Sequence, residues 1–186
     1  MRRAAAAVVL LVVVATAAGC GGSSSQTKGT QPPGNWAADV CGAVRSWASD
    51  QNARSKLLNR TIRNVESFAE ARSRLGDYLD GTIARTDSML GDVRRAGTPD
   101  VEGGAQVAGE FQASLAKLEP VLEDARVQAA KLPEDLTGFR AGVKDLSDSV
   151  AAAESQVGQD LARLATSKEH PELARAFAAE PSCNSQ

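Results

Sequence analysis

From Trp36 to Leu164 the apolar residues return every three or four positions, and almost nowhere do they alternate. That spacing is the helical period, because residues turned by about 100° per step realign after three or four. Trp36, Val40, Val44 and Trp47 share one face and predict a first helix that ends near Asn52. Phe68, Leu75, Leu79, Ile83, Leu90 and Val93 predict a second, long helix, closed by Gly97 and followed by Pro99. A third stripe runs from Val101 and Ala105 through Ala108, Phe111, Leu115, Leu118 and Leu122 to Ala129 and Leu132. Thr98, Pro99 and Asp100 offer it a cap, a first-turn proline and a first-turn acid. Pro120 lies inside the stripe without an amide hydrogen, so a kink there, or a break into two helices, is expected.

The cleanest stripe follows Pro133-Glu134-Asp135: Leu136, Phe139, Val143, Leu146, Val150, Val157, Leu161 and Leu164. A short helix from Pro171 to about Ala178 then leads to Pro181 and Cys183. Between the first two helices, Ala53 to Val65 reads either as a helical bridge or as a loop over one end. Long helices joined by short turns pack as antiparallel neighbours. The expected fold is therefore all-α, an up-down-up-down four-helix bundle over residues 35–186 with a short C-terminal helix, and no strand is required. That topology brings the start of the first helix and the end of the fourth to the same end of the rod.

Ahead of this domain the pattern changes. Arg2 and Arg3 precede an unbroken apolar run from Ala4 to Ala15, then Ala17-Ala18-Gly19-Cys20 and a Gly/Ser-rich stretch. Positive residues, a short apolar core and small residues before a cleavage point are the order of a secretory leader. The run is too short for a membrane span, which takes roughly 20 apolar residues. A cysteine directly after the small residues resembles the lipobox of bacterial lipoproteins, with Ala17 at the position commonly held by leucine. The resemblance implies removal of residues 1–19 and attachment of a diacylglyceryl group to Cys20, whose two acyl chains suffice for stable anchoring. Residues 20–34 are Gly, Ser, Thr, Gln and Pro with one charge, Lys28, and read as a flexible tether.

Charge narrows the list of partners by exclusion. The chain carries 21 basic and 23 acidic residues, well mixed along its length. Such a surface has no basic stripe for nucleic acid and no polybasic segment for anionic lipid. Of three cysteines, Cys20 is taken by the lipid, which leaves Cys41 near the start of the domain and Cys183 near its end. An exported protein lies beyond cytosolic reductants, so the remaining pair is expected to form a disulfide. Free thiols or metal ligands are the rival reading and lack a partner constellation. Closing so long a loop stabilises by up to about 5 kcal/mol in the chain-entropy model.

Little else in the sequence carries chemistry. The one histidine, His170, stands beside Pro171 in a charged turn with no nucleophile or orienting group nearby in the chain. No His, Asp or Glu cluster has the spacing of a metal site in a bundle, so neither metal nor cofactor is expected. Gly103-Gly104 and Gly109 lack the lysine and hydroxyl residue of a phosphate loop. Glu110, Glu123, Asp124 and Glu154 fall beside the apolar stripes and read as solvated flanks. No catalytic residue stands out.

A lipobox at Cys20, a Gly/Ser tether, Trp36, Cys41 and Trp47 at the head of a helical domain, and Cys183 near its end resemble the small all-helical lipoproteins of high-GC Gram-positive bacteria. The abundance of alanine and of arginine over lysine fits that group. The likeness implies a lipid-anchored protein on the outer face of the cell membrane and supplies no active site. The first functional expectation is a non-enzymatic binding or scaffolding module for an envelope component, with its partner surface in a groove between helices or at the far end of the rod. The second is a carrier or sensor that holds a small apolar or amphiphilic ligand, lined by Trp36, Trp47, Phe111 and Phe139. A ligand-sized cavity favours the second and a filled interior favours the first; a hydrolase ranks third.

Overall fold

The computed structural model describes residues 29–184. The expectations for the leader, for Cys20 and for most of the tether lie outside the described residues. The elements in order are β1 (Thr30–Gln31), α1 (Pro33–Thr61), a 3-10 turn (Ile62–Asn64), α2 (Phe68–Arg95), β2 (Thr98–Pro99), α3 (Gly104–Leu115), α4 (Leu118–Ala129), α5 (Leu136–Ala165), α6 (Pro171–Ala179) and α7 (Pro181–Asn184). The described chain is mostly helical, as its periodicity predicts.

Three differences from the sequence reading have physical causes. First, α1 does not stop near Asn52 but runs on to Thr61. Ala53 to Asn59 is rich in good helix formers, and Leu58 and Ile62 pack against the apolar residues at that end. The segment between the first two stripes is thus helix, closed by Ser67, whose hydroxyl accepts from the Glu70 amide at 3.1 Å and caps α2.

Second, Thr98 and Pro99 do not open a helix. They form β2, a short parallel partner of β1, with Thr30 opposite Thr98 and Gln31 opposite Pro99. The last carbonyls of a helix need donors, and Gln31 supplies one, its Nε2 donating to Ala96 O at 2.7 Å and to Asp39 Oδ2 at 2.9 Å. Residues assigned to the tether therefore cap the end of α2, and α1 itself begins at Pro33, ahead of the expected boundary at residue 35. Gly103 takes φ +70° and α3 starts one residue later, where a Cβ on Gly104 would lie 2.0 Å from Pro99 O. Only glycine allows both the turn and the approach.

Third, the expected third helix breaks, but ahead of Pro120. The break falls at Ala116–Lys117, and Pro120 becomes the third residue of α4. An amide there would have no partner within the helix, so the missing hydrogen is harmless, while continuing helix through Ala116 would drive its carbonyl into the proline ring. The apolar stripe survives: Phe111, Leu115, Leu118 and Leu122 are all buried.

Contacts between elements give their directions. Trp36 near the start of α1 donates from Nε1 to Gly97 O beyond the end of α2 at 3.0 Å, and Trp47 donates to Thr86 Oγ1 at 3.0 Å, so the two helices are antiparallel. Arg126 of α4 reaches Asp80 at 2.6 Å, and Arg72 donates to Leu132 O after α4 at 2.9 Å, which sets α4 antiparallel to α2. Leu132 lies against Gly142 early in α5, whereas Ser114 at the end of α3 bonds Asp160 late in α5. Cys41 and Cys183 are joined by a disulfide, Cα to Cα 5.1 Å, which ties the beginning of α1 to the end of the described chain.

Two apolar cores result. One, at the disulfide end, gathers Trp36, Val40, Val93, Phe111, Leu173 and Phe177; the other gathers Leu75, Leu79, Ala129, Leu132, Phe139 and Leu146. Between them lie the buried polar residues Gln51, Thr82 and Thr86. Helix α1 packs on α2, α2 on α4 and α4 on α5, but α1 and α5 make little direct contact. Among the described elements α6 bridges that seam, packing on both α1 and α5.

Candidate functional site

The four aromatic residues expected to line one cavity are dispersed. Trp36 is fully buried and meets Phe111 and Phe177 edge-on, with ring centroids 6.5 and 5.8 Å apart. This cluster plugs the disulfide end. Phe139 lies in the other core, 5.4 Å from Phe68. Trp47 stands between, its indole nitrogen bonded to Thr86. Of the four, Trp47 alone borders an opening between α1, α2 and α5.

That opening is a half-enclosed groove of about 530 Å³ along the unfilled part of the α1–α5 seam, with α2 as its floor. Trp47 and Leu58 of α1, Leu75 and Leu79 of α2, and Leu146 and Val150 of α5 give it apolar walls. Three polar side chains enter from the layer between the cores: Gln51 from α1, Tyr78 from α2 and Glu154 from α5. The volume falls within the range of small-molecule sites, which are mostly apolar with a few placed polar groups.

The polar side chains are not self-sufficient. Gln51 is 6% exposed, yet neither its amide nitrogen nor its amide oxygen has a hydrogen-bond partner. Leaving such a group buried and unmade costs about 1–3 kcal/mol, so natural structures satisfy nearly all of them. Burial raises the pKa of the half-buried Glu154 carboxyl, and the nearby Gln51 amide opposes this only in part, without a bond of normal geometry. Burial, and then the Glu154 charge, raise the Tyr78 hydroxyl, with Thr82 and Arg54 acting in the opposite sense. Where α1 meets α2, Arg54 and Arg85 both bind Asp50, at 2.7 and 3.0 Å. Their charges are already engaged.

A second cleft, of about 430 Å³, brings Ser114, Asp160 and His170 to one wall between α3 and α5. This assembles a hydroxyl, a carboxylate and the lone histidine, the set that a hydrolase would need. Its wiring is wrong for that chemistry. Ser114 donates directly to Asp160, which also accepts from Gln156 at 2.8 Å and from Arg163. The Asp160 oxygens are occupied by Ser114, Gln156 and Arg163, and the His170 ring makes no hydrogen bond to Ser114 or Asp160 among the described residues. Its ring lies instead over Gly103. Asp160 is best understood as a buried charge whose partners satisfy it.

Among the described residues no group of His, Cys, Asp or Glu is arranged to hold a metal ion, and no helix is long and apolar enough to cross a membrane. No family model, curated protein or solved structure matches the chain. Gln51 and Tyr78 escaped the sequence reading, and Glu154, read there as a solvated flank, is half-buried and lines the groove. The signal was present in two of them: Gln51 follows Trp47 by four, and Glu154 follows Val150 by four, so each extends an apolar face with a polar side chain.

Proposed function

We propose that this chain is a non-enzymatic binding module of the cell envelope, moored by lipid at Cys20 on the outer face of the membrane, and that it holds a small amphiphile in the α1–α2–α5 groove. The single observation that carries this reading is the groove itself, a ligand-sized space with apolar walls and a buried Gln51 amide left without a partner. A scaffold with no ligand would gain from closing the seam and removing the amide. An amphiphile resolves both at once, its body against the leucines and its head against the amide.

The antiparallel contacts of α1 with α2, of α2 with α4, and of α3 and α4 with α5 support reading the body as an up-down-up-down four-helix bundle whose third helix is interrupted. The disulfide agrees with an oxidising location. The leader and lipobox residues support the anchor, and the resemblance to small actinobacterial lipoproteins is retained on the same residues. A scaffold for an envelope protein remains the second reading, favoured only by the tightly filled disulfide end.

Two arms of one experiment test the proposal in cells and in solution. Wild type and Cys20→Ser are fractionated and then titrated with N-phenyl-1-naphthylamine, a neutral apolar dye whose emission rises on leaving water. Wild type is expected in the membrane fraction and Cys20→Ser released or unprocessed, with saturable dye binding by both. Unchanged membrane attachment of the variant overturns the anchor; no saturable emission overturns the groove as a binding site.

A further inference from the structure

We infer that the groove selects an amphiphile whose head is a monovalent cation, an ammonium carried on an apolar body, with Glu154 as its counterion, Gln51 as its hydrogen-bond partner and Trp47 and Tyr78 as aromatic walls. The inference rests on the binding role proposed above and adds the charge and head group of the ligand.

Four observations converge on it. The Glu154 carboxylate projects into the half-enclosed groove, and among the described residues it is ion-paired with no Lys or Arg. Arg54, whose charge reaches Tyr78, and Arg85 are both held by Asp50. Gln51, 94% buried by its 6% exposure, aims an unpartnered amide at the same place. Two aromatic rings border the same space, and the faces of Trp and Tyr attract cations most when water is excluded.

Electrostatics then ranks the heads. An anion entering the groove would meet the Glu154 carboxylate, and among the described residues no Lys or Arg lines the groove to receive it. A neutral head gains hydrogen bonds to Gln51 and to the Asn and Ser side chains that border the groove, but it leaves the Glu154 charge uncompensated. An ammonium gains charge compensation in a site of reduced dielectric, and it also removes the desolvation penalty that now falls on Glu154 alone. The other charged and titratable groups around Glu154 are Tyr78 and Arg54; Tyr78 stays neutral through the physiological range, because burial and the Glu154 charge hold its proton on.

The test compares three amphiphiles of one chain length against the full-length chain, each below its micelle concentration: octylammonium, octyl glucoside and octyl sulfate. Isothermal titration is expected to give binding of the ammonium about tenfold tighter than the glucoside, and weakest binding of the sulfate. Glu154→Gln is expected to erase the preference for the ammonium over the glucoside. Equal affinities in the wild type, or a preference that survives Glu154→Gln, overturns the cationic head yet leaves the groove as a site for amphiphiles. Absence of binding by all three overturns the binding role and the inference together. The wild-type ranking decides even if Glu154→Gln fails to fold, and Ser147→Trp on the exposed rim, expected to abolish binding of every compound, locates the site in the groove.

Discussion

The two ends of this molecule share one seam, between α1 and α5, and treat it in opposite ways. At the disulfide end α6 lies in the seam, and Leu173 and Phe177 close it over Trp36, leaving no exposed surface on any of the three beyond 1%. At the other end no element among the described residues enters the seam, and the groove remains. Length explains the division: nine residues of α6 span about 13 Å, whereas the thirty residues of α5 span about 45 Å. The disulfide reinforces the filled end by holding the chain after α6 against α1. The open end is thus the stretch of the seam that α6 is too short to reach.

A single kind of substitution on each side would break this comparison. Leu173 and Leu146 are both buried leucines, but Leu173 is packed on all sides and Leu146 borders the groove. Truncation to alanine removes the same atoms from each, and the difference lies in the cavity left behind. We expect Leu173→Ala to destabilise by about 4 kcal/mol and Leu146→Ala by about 2 kcal/mol, because the second void merges with space that already exists. Urea unfolding midpoints at constant slope measure both. Equal losses would mean that the groove is closed in solution.

The next effect is smaller and opposite in sign. Gln51→Leu replaces a buried amide without partners by an apolar side chain of similar size, beside Trp47 and Leu79. We expect the folded state to gain about 1 kcal/mol, read as a rise in the thermal midpoint, while the neutral dye keeps binding. A loss of stability would show that the amide is satisfied in water by something the groove admits. Few positions in a protein improve when made apolar unless function holds the polar residue there, so the gain itself sharpens the contrast between the two ends.

How much of this was legible in the sequence follows the same division. At the filled end the apolar stripes, Trp36, Cys41 and Cys183 state what touches what, because burial leaves a periodic mark. Pattern also fixed the four long stripes and the disturbance near Pro120. It did not reveal where α1 ends, since helix formers continue after the stripe fades and only tertiary contact of Leu58 and Ile62 decides. Nor did it reveal β1, whose register depends on the carbonyl of Ala96 needing the Gln31 amide. The groove was least legible of all. An opening is defined by a helix that is absent, and no residue encodes that absence. Grouping Trp36, Trp47, Phe111 and Phe139 assumed that aromatic residues gather around a ligand, whereas three of them serve the cores.

Glu154 offers the finest measure of how open the groove is. Burial raises its pKa above the ordinary 4.5 in the folded protein, while the unfolded chain keeps the ordinary value. At low pH both states are protonated and the carboxyl contributes no difference. As pH rises past 4.5 the unfolded state releases its proton first and the folded state keeps its own, so stability falls until the folded carboxyl also ionises. Glu154→Gln removes this dependence, and the difference between the two proteins cancels every other titrating group that the substitution leaves alone. Tyr78 ionises only above 10 and stays outside the window. We therefore expect wild type and variant to differ by a constant below pH 4.5 and the wild type to lose ground steadily above it, as followed by unfolding midpoints across the acid to neutral range. This is the smallest of the three effects, because Glu154 retains access to water. An ammonium amphiphile added at neutral pH should reverse it, since the charge that burial disfavours would then have its counterion; a pH-independent difference would mean that water fills the groove well enough to solvate the carboxylate as it does at the surface.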